Sequence, residues 1–277
     1  MIATTGLQCA VIGDPAAHSL SPALYRAAFA ELGLDWTYQA IEVAPEELDS
    51  LVEGLDESWR GLSVTMPHKE AIRRHGTGDE LVELVGAANT WVRDGSEAIV
   101  RNTDVGGFLR ALAERGITSA DSATVIGNGA TARSAVVALR ELGVERAVIL
   151  ARDPERAQSL RTFCSHQLGM LAAVRPLETG QVLEADLLLS TVPGGGADHL
   201  AEELTASAPV LFDCIYDPWP TALASAAERA GATVLNGLDL LAGQAVEQVR
   251  LITGGEVGFQ RLWRAGHDEL LRRVSAS

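Results

Sequence analysis

The stretch 123–152, ATVIGNGATARSAVVALRELGVERAVILAR, constrains the fold more than any other part of the chain. It opens with a short apolar run, residues 123–126, of the length and β-branched content that suit a buried strand. Gly127, Gly129 and Ala132 follow at the spacing G-x-G-x-x-A. Ala135, Val136, Leu139 and Leu142 then recur at helical spacing, and Gly143 closes the helix. Residues 148–150 make a second apolar strand. The helix carries the chain back between the two strands, so they pair in parallel.

Each residue of the turn answers a separate need. Gly127 permits the sharp exit from the strand, and Gly129 removes a side chain that would block backbone approach to a pyrophosphate. Ala132 is small enough for the helix to pack close to the sheet, and the helix N-terminus offers free N–H groups to phosphates. Glycine-rich turns also join strands to helices with no ligand, but the complete unit favours a dinucleotide site. At the end of the second strand, NAD calls for an acidic residue and a 2′-phosphate calls for arginine. Arg152 occupies that position, with Arg156 one helical turn further on. Two guanidinium groups there suit one phosphate, which makes NADP (NADPH) the expected cofactor. The plainer alternative is a pair of solvated arginines at a helix start, and Asp153 between them offers a carboxylate to a ribose hydroxyl.

The rest of the chain also alternates between strand and helix patterns. Strands are expected at 7–13, 36–43, 62–65, 89–93, 98–101, 172–174, 186–190, 210–213 and 233–235. Ser21 caps a helix with Pro22 at its first position. This helix runs to about Leu32, with Leu24, Ala27, Ala28 and Ala30 as its apolar face. Further helices are expected at 45–55, before Gly86, from a Thr103 or Asp104 cap to Ala113, from Pro154, and over 238–253 and 257–274. The alternation predicts an α/β protein with largely parallel sheets.

Composition narrows the partners. Of 277 residues, 22 are Lys or Arg and 37 are Asp or Glu, a formal net charge of −15 that repels nucleic acid and anionic membranes. Cys9, Cys164 and Cys214 are odd in number and far apart, which suggests neither a disulfide framework nor a metal site. Cys9 and Cys214 lie in apolar runs and read as buried core residues. The absence of a leader pattern and of a membrane-length apolar run leads to the expectation of a cytoplasmic protein, monomer or homodimer, acting on a small molecule.

Five blocks occur in an order that resembles the shikimate dehydrogenase family: GDPAAHSLSP at 13–22, GLSVTMPHK at 61–69, GAANT at 86–90, NTDVGGF at 102–108 and NGLDLLAGQA at 236–245. The resemblance runs from Gly13 through the C-terminal helices. It implies two α/β domains. A substrate-binding and catalytic domain covers 1–104, joined by C-terminal helices over 238–277, and a Rossmann-type NADP-binding domain covers 105–237. It also implies a Lys69–Asp104 pair for acid–base work, which suits oxidoreduction of a secondary alcohol because a proton moves with each hydride. Ser19, Ser21, Thr65, Asn89, Tyr216 and Gln244 are then the substrate contacts. Gly127, Asn128, Gly129, Ala130, Thr131, Ala132, Arg152 and Arg156 hold the cofactor, with Thr191, Cys214 and Gly237 on its nicotinamide side.

Plainer roles stand beside several of these: a helix cap for Ser21, a turn former for Asn102, a surface charge for Lys69 and a core-edge aromatic for Tyr216. Gln244, on an apolar helix, needs a polar partner, and a substrate hydroxyl suits it. His18 reads as a structural histidine bonding the loop backbone, and His68 as at most a modulator of Lys69.

The chain also departs from the family pattern. Tyr25 and Arg26 stand where His-Asn is common, His68 where an apolar residue is common, and Ala151 where Asn is common. Asn128, Ala130 and Thr131 depart from a turn that is mostly Gly and Ala. The expected reaction is NADPH-dependent reduction of 3-dehydroshikimate to shikimate. An NAD-preferring quinate/shikimate dehydrogenase and a non-catalytic NADP-binding sensor are the alternatives.

Overall fold

The computed structural model describes residues 5–180, 184–206 and 208–276. The chain divides into two compact units, Met1–Gly107 with Leu241–Ser277, and Phe108–Leu240.

The first unit is built on β1 (Thr5–Gly13), α1 (Ser21–Leu32), β2 (Asp35–Glu42), α2 (Leu48–Glu53), β3 (Trp59–Val64), α3 (Glu80–Val85), β4 (Thr90–Asp94), β5 (Glu97–Arg101) and the first turn of α4 (Asp104–Glu114). Its sheet has the order β2-β1-β3-β4-β5. β1 pairs in parallel with β2 and β3, whereas β4 runs antiparallel to both β3 and β5. The expectation of largely parallel sheets holds for the described strands as a whole, with β4 the antiparallel exception. Gly95, at a φ of +63°, turns the chain straight back after β4, leaving no room for a crossover helix. Ala10, Ile12, Leu62, Val64, Val82, Trp91 and Val100 fill the core on one side of this sheet.

Three local expectations change. Leu20, not Ser21, is the N-cap of α1, because the Ser19 hydroxyl accepts the Ser21 N–H at 3.2 Å and the helix starts one residue early. The inward face of α1 is Ser21, Leu24, Tyr25, Ala28 and Phe29, so the aromatics replace Ala27 and Ala30. Tyr25 stacks on Tyr38 of β2, ring centroids 4.0 Å apart, and Phe29 meets Trp36 edge-on. These large rings bury far more apolar area than alanines do, and area sets which face turns inward. The helix expected over 45–55 is a 3₁₀ turn, Pro45–Glu47, followed by α2.

The second unit contains β6 (Ser122–Ile126), α5 (Ala130–Glu141), β7 (Arg146–Ala151), α6 (Pro154–Gln167), β8 (Leu171–Pro176), β9 (Leu187–Ser190), α7 (Ala201–Thr205), β10 (Val210–Asp213), α8 (Ala222–Arg229) and β11 (Thr233–Leu235). The sheet order is β11-β10-β9-β6-β7-β8, with every pair parallel. Successive strands add outward from β6 to β8, then restart at β9 on the other side of β6. That reversal leaves a crevice at the carboxyl ends of β6 and β9, where doubly wound sheets bind ligands. Two helices, α7 and α8, have no counterpart among the expected ones. α8 is a short alanine-rich helix capped by Thr221, whose hydroxyl accepts from Ala224 N at 3.0 Å. Cys9 is fully buried, and burial pushes its thiol up to about 12. Cys214 is only half-buried because β10 ends one residue before it.

The chain ends in α9 (Gly237–Thr253) and α10 (Phe259–Ala276), which from Leu241 onward belong to the first unit, with α10 packed along α1.

Candidate active site

The first unit gathers its chemistry at one end of its sheet. β1 and β3 finish there, β4 begins there and β5 ends there. Thr65 follows β3 directly, and its N–H donates to Ile12 O at 2.9 Å. The turn behind it is tied twice, by His68 N to Thr65 O at 2.9 Å and by Ala88 N to Lys69 O at 2.7 Å. Lys69 therefore leaves a fixed backbone. Its ammonium donates to Asp104 Oδ2 at 2.6 Å, with the lysine side chain 14% exposed and the aspartate 1%. Lys69 is the only lysine among the 22 basic residues.

Asp104 is the first residue of α4, where the helix dipole favours a carboxylate. Neither Thr103 nor Asp104 caps this helix. Asn102 does, its Oδ1 accepting from Asp104 N at 3.1 Å and Val105 N at 3.3 Å. The turn-forming role read for Asn102 is the one it plays. Asn89 holds the other carboxylate oxygen, donating from Nδ2 to Asp104 Oδ1 at 2.8 Å and also to Gln244 Oε1 at 2.6 Å. Its own Oδ1 accepts the Thr103 N–H at 2.8 Å, which settles the amide orientation because a backbone N–H can only donate. The partner sought for Gln244 is thus Asn89.

Gln244 reaches this cluster because α4 and α9 cross backbone to backbone. A Cβ at Gly243 would collide with the Gly107 carbonyl, and one at Gly107 would lie 2.8 Å from Gln244 N. The glycines in NTDVGGF and LAGQA are the condition for that approach.

Ser19, half-buried, and Ser21, buried, precede and open α1. Arg273 of α10 steadies their loop, donating to the carbonyls of His18 at 2.8 Å and Ser19 at 3.2 Å. It is the His18 carbonyl, then, that carries this contact, while the residue itself is exposed. His68 is 1% exposed and points its Nε2 at Val43 O, 2.7 Å away, so it serves the core rather than Lys69. Tyr216 lies beyond β10 in the second unit, half-buried.

In the second unit, Gly127 has a φ of +111°, which disfavours any side chain, and a Cβ there would strike the Thr191 hydroxyl. Thr191 in turn donates to Ile126 O at 3.0 Å. Gly129 is the N-cap of α5 and supplies no side-chain cap, while a Cβ on it would meet nothing within 4 Å. The start of α5 thus has no side-chain cap and leaves room beside Gly129, a shape that fits a pyrophosphate. Asn128 beside them is exposed. Arg152 and Arg156 are exposed at the end of β7 and the start of α6. Asp153 is engaged: its Oδ1 caps α6, accepting from Glu155 N at 3.1 Å and Arg156 N at 3.2 Å. Cys214 and Gly237 adjoin, since a Cβ at Gly237 would collide with the Cys214 carbonyl. Among the described residues, no helix is long and apolar enough to cross a membrane and no group of three or more His, Cys, Asp or Glu is arranged to hold a metal.

Several residues around the Lys69–Asp104 pair escape sequence reasoning. Thr90, Thr103, Ser63, Tyr38, Tyr25 and Gln248 form the polar surroundings of Asn89. The only signal was Gln248 standing four residues after Gln244, on the same helix face.

Residues 11–91 match the family model of the shikimate dehydrogenase substrate binding domain. The shikimate dehydrogenase (NADP(+)) of Methanothermobacter thermautotrophicus is 38% identical over 258 residues, covering 88% of this chain and 90% of that protein. The crystal structure of Mycobacterium tuberculosis shikimate dehydrogenase superposes with a TM-score of 0.86 at 39% identity, over 95% of this chain and 99% of that one. The Thermus thermophilus enzyme, solved with NADP(H) and shikimate, gives a TM-score of 0.84 at 33% identity, again over 95% and 99%. With relatives this similar matched over nearly their whole length, the chain belongs to the shikimate dehydrogenase family.

Proposed function

We propose that this protein catalyses the reversible, NADPH-dependent reduction of 3-dehydroshikimate to shikimate. The observation that carries the reading is the contact set of Lys69, Asp104, Asn89 and Gln244 at one end of the first unit's sheet. It joins one proton donor to groups able to bind hydroxyls.

When bound, NADPH supplies the hydride. The chain supplies the rest. Lys69 gives its ammonium proton to the substrate oxygen as the ketone becomes an alcohol, and takes it back in the reverse direction. Asp104 aims the ammonium, and Asn89 keeps the carboxylate in place. Gln244, Thr65 and Tyr216 bind ring hydroxyls, while Ser19 and Ser21 bind the carboxylate. The turn from Gly127 to Ala132 holds the pyrophosphate, Arg152 and Arg156 hold the 2′-phosphate, and Thr191, Cys214 and Gly237 border the nicotinamide. Asp153 supports NADP over NAD, because one oxygen of its carboxylate is committed to capping α6. The reading includes a cytoplasmic location and a monomer or homodimer.

The test is an absorbance assay at the nicotinamide band with shikimate or quinate and with NADP or NAD. Turnover is expected with shikimate and NADP. Preference for quinate with NAD would assign the chain to the alternative enzyme, and nucleotide binding without turnover on either acid would make it a sensor.

A further inference from the structure

A single run of hydrogen bonds lies behind the reacting pair, and Gln248 stands at its centre. Gln248 is 2% exposed, one turn beyond Gln244 on α9. Its Oε1 accepts from Tyr25 Oη at 2.9 Å and from Ser63 Oγ at 2.9 Å. Its Nε2 donates to Asn89 O at 3.0 Å and to Thr90 Oγ1 at 2.9 Å. Tyr38 Oη donates to Ser63 Oγ at 2.7 Å. On the other side Thr90 Oγ1 donates to Asn89 Oδ1 at 3.1 Å, and Asn89 donates to Asp104.

The direction of this run is determined. A backbone carbonyl has no proton, so Asn89 O obliges Gln248 to present its NH₂ rather than its oxygen. Thr90 Oγ1 then receives a proton from Gln248 and has one hydroxyl proton left, which goes to Asn89 Oδ1. The Thr103 N–H on the same oxygen turns the Asn89 NH₂ toward Asp104. Burial pushes the Tyr25 and Tyr38 phenols well above their ordinary range, so both stay protonated and donate. Every buried polar atom named here has a partner, and a satisfied network of this kind holds one geometry.

Resting on the function proposed above, we infer that Gln248 is a positioning residue for the reaction. It joins the buried Tyr25–Tyr38–Ser63 cluster to the Lys69–Asp104 pair through one directed hydrogen-bond chain. Tyr25, at a position where the family commonly has histidine, is its phenolic partner.

The experiment compares Gln248→Met, Thr90→Val and Thr90→Ser with the wild-type chain, each checked for folding by circular dichroism. In the shikimate–NADP assay, Gln248→Met and Thr90→Val are expected to lose about tenfold or more in kcat, with KM for NADP unchanged, as for a misaligned donor. Thr90→Ser keeps the hydroxyl and is expected to recover most of that loss. Folded variants with wild-type kcat and only a lower Tm would overturn the proposal, as would a Thr90→Ser no better than Thr90→Val. Should Gln248→Met fail to fold, the Thr90 pair decides.

A second readout needs no turnover, because Lys69 is the only lysine and an amine-selective reagent followed by peptide mapping reports it alone. With Gln248 removed, Asn89 O and Thr90 Oγ1 lose their donor, Asn89 is held less firmly against Asp104, and the Lys69 amine is less closely confined, so labelling at a fixed mildly alkaline pH quickens by about threefold. Unchanged labelling overturns the proposal. An inactive wild type whose labelling still quickens in the variant would overturn the substrate reading instead.

Discussion

Lysine and arginine carry the same charge but differ in what they can do with a proton. An arginine stays protonated at any working pH, whereas a lysine ammonium can give its proton up. This chain uses arginine for every other basic side chain and lysine once, against a buried carboxylate. Lys69→Ala is expected to lower kcat by about two orders of magnitude or more with little change in KM, and Lys69→Arg to leave kcat similarly low. Steady-state kinetics on both variants checks this, and near-normal turnover in either removes Lys69 from its role. The pair was legible because two sequence blocks each carry one partner. Gln248 was not, because its one signal, the four-residue spacing from Gln244, does not say which groups α1, β3 and β4 place around it. Tyr25 shows in the sequence only as a departure from the family pattern. Its phenol matters only through what β2, β3 and α9 place around it.

At the scale of elements, the start of α6 separates two roles that adjacent residues had left ambiguous. Asp153 spends its carboxylate on the helix, so Asp153→Ala should cost about 1 kcal/mol of stability without altering the preference between NADP and NAD. Denaturant unfolding and the two-cofactor assay measure the two halves of that statement. Arg152→Ala, by contrast, should raise KM for NADP much more than for NAD, and an equal rise for both would mean that Arg152 does not read the 2′-phosphate. Helix and strand positions in the glycine-turn unit were legible because periodicity, glycines and caps agree there. They were less so at the start of α1, where the Ser19 hydroxyl displaced the expected cap, and over 45–55, where a 3₁₀ turn precedes a shorter helix.

Across the whole molecule, the C-terminal helices return to the unit that the N-terminus builds. One anchor of that return is Arg273, itself held within α10 by an ion-pair cluster. Arg272 and Arg273 surround Glu269 and hold its carboxyl down to about 2, and Arg273 also grips the loop bearing Ser19. A depressed carboxyl pKa stabilises the fold above the unfolded value of 4.5, and that contribution fades as pH falls toward about 2. The difference in unfolding midpoint between the wild type and Glu269→Gln should accordingly be largest above pH 4.5 and close in acid; a difference constant across that window would contradict it.

The sequence by itself determined the alternation of strands and helices, the glycine turn with its arginines, and the blocks that hold the reacting residues. Those are local matters, set by spacing, turn chemistry and side-chain type. Only the tertiary structure decided that Asn89 meets both Asp104 and Gln244, that Asp153 is spent on a helix, and that Gln248 directs a buried chain of donors. A hydrogen bond depends on where two atoms lie in space. Residues 155 positions apart, as Asn89 and Gln244 are, meet only once two helices have crossed at Gly107 and Gly243.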